Sequence, residues 1–318
     1  MKRSRISIWT WFAGLIAAAV MSPMVAAKPP TATKQAAFPR ELVEWTPLSG
    51  NPIFKGDGPG NWDAMIRERG WILRESDTYR LWYTGYDGTP TGIRQLGYAT
   101  SPDGLRWTRS KDNPLSPGHY IEDMMVVYDG GTYYMFAEGP DESLSQMLTS
   151  PDGIRWTGAG VLEIHTTAGQ RIERPFGTPT VWVENGSWNL FYERGDLGVW
   201  LATSSDPRSL KWNNVQDTPV LALGPGEYDS EQIAVDQVFK YGGQYYVLYH
   251  GSGRRDGDRP RIWNTNVARS SDLIHWEKYP GNPIVGDNKS SGIVVPTGAG
   301  YRLYTMHDRV DAFESSGR

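Results

Sequence analysis

The sequence predicts an all-β fold, a five-bladed β-propeller whose N-terminal strand closes the last blade, and three observations lead there. First, a module recurs four times: an apolar run, a turn, a strand rich in aromatic residues, a short third run, and a Ser-x-Asp turn that ends on tryptophan. Second, the closing tryptophans, Trp107, Trp156, Trp212 and Trp276, lie 49, 56 and 64 residues apart, a period that marks propeller blades with loop insertions. Third, an incomplete fifth copy runs through Tyr301 to His307 and lacks the turn and tryptophan, while Trp45 and Asn51-Pro52 at the other end supply the missing piece. A ring closed in this way leaves no exposed sheet edge.

In chain order, residues 1–27 carry Lys2, Arg3 and Arg5, an apolar segment from Ile8 to Val20, and the small residues of Val25-Ala26-Ala27. That is the pattern of a cleaved secretory signal, and the apolar core is short for a membrane span. The expected location is secreted or periplasmic, with no stable membrane insertion. Residues 28–40, rich in Pro and Ala, read as a flexible lead-in. Residues 41–318 read as a single propeller catalytic domain, because repeat units that cannot bury their own faces make one ring.

Ile121 to Trp156 shows the module in full. An acidic pair, Glu122-Asp123, opens a β-branched run; Asp129-Gly130-Gly131 supplies a hairpin turn; Tyr133 to Ala137 returns as a second strand; Ser150-Pro151-Asp152-Gly153 turns the third strand into the fourth. The chain has no cysteine, which excludes disulfides and thiolate chemistry. Its 32 basic and 36 acidic residues give a net charge of −4 and no polybasic run, so nucleic acid is not an expected partner. The 14 Trp and 17 Tyr against 8 Phe suit a β-rich fold and equally a protein that handles carbohydrate. A monomer acting on a carbohydrate substrate is the expectation.

Hairpin geometry puts the start of each inner strand and the end of the second strand on one face. Counting back from the first aromatic residue of each second strand, acids recur at about ten residues, Glu68, Asp123 and Asp236, and at about fifteen, Asp63, Glu173 and Glu231. Second-strand ends add Glu138, Glu193, His250 and His307. Carboxylates brought this close raise one another's pKa and separate a protonated acid from an ionised base, as hydrolysis of a glycosidic bond requires. The candidate catalytic residues are therefore Asp63, Glu68, Asp123, Glu173 and Asp236. Arginine pairing is the plainer alternative for Glu68, between Arg67 and Arg69, and for Glu173, between Arg171 and Arg174. Candidate substrate-binding residues are Trp62, Glu138, Arg174, His250, Trp263 and His307. The charged loop Gly253 to Arg261 either caps the mouth or is simply solvated.

The repeated Ala-Thr/Arg-Ser-x-Asp, Trp and Asn-Pro segments, with the inner-strand acids, resemble the five-bladed β-propeller glycoside hydrolase superfamily, including families 32, 43, 68, 117 and 130. Ile121-Glu122-Asp123 is similar to the Glu-Asp pair of family 130, whose Asp is the proton donor. Arg171-Ile172-Glu173-Arg174-Pro175 stands where family 32 has Arg-Asp-Pro. Asn61-Trp62-Asp63 is a partial echo of the family 32 nucleophile motif, and Met124 replaces the proline that follows the family 130 acid. The resemblance implies a glycoside hydrolase, inverting because the family 32 nucleophile motif is missing. It requires no cofactor and leaves room for a structural Ca2+ on the propeller axis. A family 130 type phosphorylase and a non-catalytic glycan-binding propeller are the alternatives.

Overall fold

The computed structural model describes residues 37–139, 144–255, 257 and 260–316; the expected signal and residues 28–36 of the lead-in lie outside the described residues, as do three positions of the Gly253 to Arg261 loop. Five sheets form a five-bladed β-propeller. Blade 1 consists of Met65–Glu75, Thr78–Tyr86, Gln95–Ser101 and Thr108–Arg109; blade 2 of Glu122–Asp129, Thr132–Glu138, Ser145–Ser150 and Thr157–Val161. Blade 3 is built on Gly177–Glu184, Ser187–Glu193, Gly198–Ser204 and Lys211–Asn214, and blade 4 on Gln232–Tyr241, Gln244–Ser252, Trp263–Ser270 and Glu277–Lys278. Blade 5 takes Ile293–Thr297, Gly300–Met306 and Arg309–Ser315 from the C-terminal end and Trp45–Pro47 from the N-terminal end.

Local chemistry explains these elements. The turns Gly130-Gly131 and Gly242-Gly243 join two-residue hairpins with both φ angles positive, a conformation glycine adopts without steric cost. In the Ser-x-Asp turns one carboxylate oxygen accepts two successive backbone N–H groups: Asp103 from Leu105 and Arg106, Asp152 from Ile154 and Arg155, Asp272 from Ile274 and His275. These aspartates hold turns, as their pattern predicts.

Neighbouring blades are stapled through the same turns. Trp82 of blade 1 donates its indole N–H to the Gly153 carbonyl of blade 2 at 2.8 Å, and Tyr304 of blade 5 donates to Gly104 of blade 1 at 3.1 Å. Closure of the ring is also specific. Trp45–Pro47 pairs antiparallel with Arg309–Ser315, and the Asn51 side chain exchanges two hydrogen bonds with the Ala312 backbone, at 2.9 and 2.7 Å. Ahead of them, Phe38 and Leu42 are buried against blades 4 and 5, with Phe38 packed on Tyr246 and Tyr279.

Candidate active site

Four of the five inner strands slip register near their starts, between Arg67 and Trp71, Glu122 and Met125, Gly177 and Thr180, and Val235 and Gln237. A bulge releases residues from the ladder and re-aims their side chains, and bulges gather next to reactive sites. The released residues here include Glu68, Arg69, Asp123 and Asp236. Asp123 and Thr178 sit at φ 47° and 46°, unusual for residues with a side chain.

Arg69 fills the centre. It has 0% exposure and crosses from blade 1 to donate to the carbonyls of Pro179 (2.7 Å), Val235 (3.1 Å) and Asp236 (3.4 Å), to the Asp123 carbonyl, and to the Thr180 hydroxyl. Around it lies a shell of acids. Asp123 is buried, and its Oδ1 has no hydrogen-bond partner among the described residues. Burial, then the charges of Glu68 and Glu122, push its carboxyl well above the usual range, against the pull of Arg69 and His250. Glu138, closing the second strand of blade 2, is raised by burial and by Asp123 while it accepts from the Thr178 N–H at 2.8 Å. Glu193 at the matching end in blade 3 is pushed up to about 7 by burial and by Asp196. Between them Gly177 has no room for a side chain: a Cβ there would lie 2.3 Å from Glu138 Oε1 and 2.7 Å from Glu193 Oε1.

Blade 4 contributes a dyad. His250 Nδ1 lies 2.6 Å from Asp236 Oδ1, both side chains are buried, and Asp236 Oδ2 accepts the Gly292 N–H at 3.1 Å. Burial alone would lower the imidazole's pKa, but Asp236, Asp123 and Glu68 together raise it to about 9, so the ring is cationic at neutral pH. Trp263 meets it edge-on at 5.2 Å. Glu68, whose side chain is 26% exposed, looks out beside this group, and Arg67 pairs with Glu122, which also accepts from Tyr120. A cleft of about 530 Å³ beside blade 4 is lined by residues including Tyr228, Arg254, Arg255 and Arg261.

The structure thus brings Glu68, Asp123, Glu138, Asp236, His250 and Trp263 together. Two expected acids stand elsewhere. Asp63 is 1% exposed and accepts from Tyr83 and from Arg109, both at 2.9 Å. Blade 4 repeats this clamp with Asp229, Tyr249, Lys278 and Asn282, where blade 1 has Asp63, Tyr83, Arg109 and Asn113. Asp63 therefore belongs to a clamp joining the strands of a blade, and Glu68 is the blade 1 acid of the cluster. Glu173 is exposed in the segment before Gly177–Glu184, as is Arg174, and the buried acids beside Gly177 are Glu138 and Glu193. Trp62 is half-buried and stacks on Tyr83 at 6.0 Å, packing against the Asp63 clamp. His307 lies at the turn after Gly300–Met306, 3.3 Å from Ser290 Oγ. Among the described residues no group of three or more His, Asp or Glu side chains has a metal-holding arrangement.

Two participants were not singled out from the sequence. Arg69 looked like a neighbour pairing with Glu68, and Glu193 was one of several second-strand ends. The signal available was Glu193's equivalence to Glu138 in the repeat.

No protein-family model matches the chain. The uncharacterized protein MT1551 of Mycobacterium tuberculosis (strain CDC 1551 / Oshkosh) is 27% identical over 226 residues, 65% of this chain and 74% of the relative. Among solved structures, a glycosyl hydrolase from Bacteroides ovatus superposes with a TM-score of 0.65 at 16% identity, over 87% of this chain and 94% of that one. A β-1,2-mannobiose phosphorylase from Listeria innocua, in complex with β-1,2-mannobiose, gives a TM-score of 0.63 at 16% identity, over 85% and 95%. At these identities the likeness shows a shared fold.

Proposed function

We propose that this propeller cleaves a glycosidic bond of an oligo- or polysaccharide, with Asp123 as general acid and Glu68 as general base. The observation that carries the reading is Asp123: a buried carboxyl on a bulge, with one oxygen unpartnered and its proton retained by burial and by two neighbouring carboxylates. Such a group can hand its proton to the departing glycosidic oxygen. Glu68, partly open to solvent, takes a proton from water; the water oxygen bonds to the anomeric carbon as the old carbon–oxygen bond breaks, and one product carries the inverted anomer. Asp236 orients His250, and the cationic ring together with Trp263 holds sugar hydroxyls at the mouth. Glu138 and Glu193 form the wall opposite. The apolar, positively charged leader supports export of the chain, and export favours hydrolysis over a product that would be a sugar phosphate outside the cell.

A second reading has its own support. The cationic His250 and Arg67 face the same acids, and inorganic phosphate in place of water would meet a charge it needs. A screen of oligosaccharides with and without phosphate distinguishes the two: free reducing sugar in phosphate-free buffer is expected, and release of sugar 1-phosphate alone would replace hydrolysis with phosphorolysis. Asp123→Asn and Glu68→Gln should abolish release while retaining glycan binding. Binding by the parent chain with no release from any glycan would leave a glycan-binding propeller.

A further inference from the structure

The bulges that aim Asp123 and Asp236 also take backbone carbonyls out of the ladder in the interior, where an unpaired carbonyl is costly. The acceptors of Arg69 are these groups: Asp123 O in blade 2, Pro179 O in blade 3, Val235 O and Asp236 O in blade 4, each at its strand's register slip. Thr180 Oγ1 joins them and itself donates to Val235 O at 2.9 Å. A guanidinium is the side chain suited to this place, because it is planar, always charged, and presents its N–H groups in a rigid fork.

We propose that Arg69 is a cation built into the propeller axis and the positioning residue of the acid cluster, its fork tying together the bulges of three blades so that Asp123 and the Asp236–His250 pair keep their directions. Oxygen atoms from three blades converge on this one positive charge. The inference rests on reading the cluster as the reaction centre, but its consequences are read from the fold and from a histidine resonance, without turnover. An inactive parent enzyme would therefore count against the proposed function alone.

The test uses Arg69→Ala in the full chain, with free guanidinium ion at sub-denaturing concentration and sodium chloride of equal ionic strength as control. The thermal midpoint of Arg69→Ala should drop by several degrees, and guanidinium, but not sodium, should restore most of it while leaving the parent unstabilised. His250 is followed by NMR titration. Removing a nearby positive charge without moving anything would raise its pKa above about 9, whereas loss of the Asp236 orientation drops it toward 6.5, the ordinary value. The proposal expects the drop, and its reversal by guanidinium. A rise, or a midpoint indifferent to guanidinium, overturns it. If Arg69→Ala yields no folded protein, Arg69→Lys serves: an ammonium cannot span three blades, so both midpoint and His250 pKa should fall, and parent-like values for both would sink the idea.

Discussion

The carboxylate of Asp236 and the imidazole of His250 meet at 2.6 Å, the first fully buried and the second nearly so. The pair comes from two strands of one hairpin, so it is as rigid as blade 4 itself, and it fixes a positive charge beside Asp123 and Glu193, whose carboxyls burial pushes up. Stability should therefore depend on pH in an unusual direction. His250 binds its proton up to about 9 in the folded chain against 6.5 unfolded, so this contribution is complete below pH 6.5 and lost as pH rises through 9. Glu193, raised to about 7 from 4.5, is penalised for ionising and adds to the fall between those values. Thermal midpoints should decline steadily from about pH 5 to pH 9. Asp236→Asn should flatten the upper part of that decline, and a midpoint rising with pH across it would contradict the assignment of charge.

Asp123→Asn separates activity from stability. Loss of a general acid lowers turnover by about 10²–10⁴-fold. The same change removes a buried carboxyl crowded by Glu68 and Glu122, so the variant should melt at or above the parent temperature. A variant that is active, or one that is inactive because it unfolds, would remove Asp123 from its role; calorimetry beside the rate assay decides.

Asp63→Ala should behave in the opposite way. It strips the partner from Arg109 and Tyr83 inside the blade 1 clamp, and breaking a pair this buried costs on the order of 3 kcal/mol. Turnover per folded molecule should stay near that of the parent. A fall in turnover with an unchanged melting temperature would return Asp63 to the reaction.

Glu173→Gln is expected to change neither quantity much, because the side chain is exposed on the segment leading into blade 3. Rates measured on any accepted glycan check this directly.

Deleting residues 38–55 should abolish cooperative folding, whereas deleting 28–37 should leave the melting transition in place. The longer deletion removes Phe38 and Leu42 from the core together with the strand and the Asn51 bonds that complete blade 5. Circular dichroism melting curves of the two truncations decide it.

The blades were legible because turn chemistry and aromatic strands repeat with the sequence, and hairpin geometry then placed Asp123, Glu138, Asp236 and His250 on one face. Counting back from an aromatic residue assumes an unbroken strand, and the inner strands are broken where it matters. In blade 1 the slip spans Arg67 to Trp71, which is why Glu68 reaches the cluster while Asp63, five residues earlier, ends under Arg109. Arg69 could not be found by counting at all. Its role depends on carbonyls that only the folded bulges expose.

One further consequence follows from the fifth blade. Among the described residues Trp45–Pro47 is the first strand in chain order and Arg309–Ser315 the last, yet the two are neighbours. The ring therefore cannot shut while the ribosome still holds the C-terminal segment, and the opening strand must wait, unpaired, for nearly the whole chain to emerge. The pairing of Trp45 with Ser315 is therefore one the chain makes only after both ends of the propeller are in place.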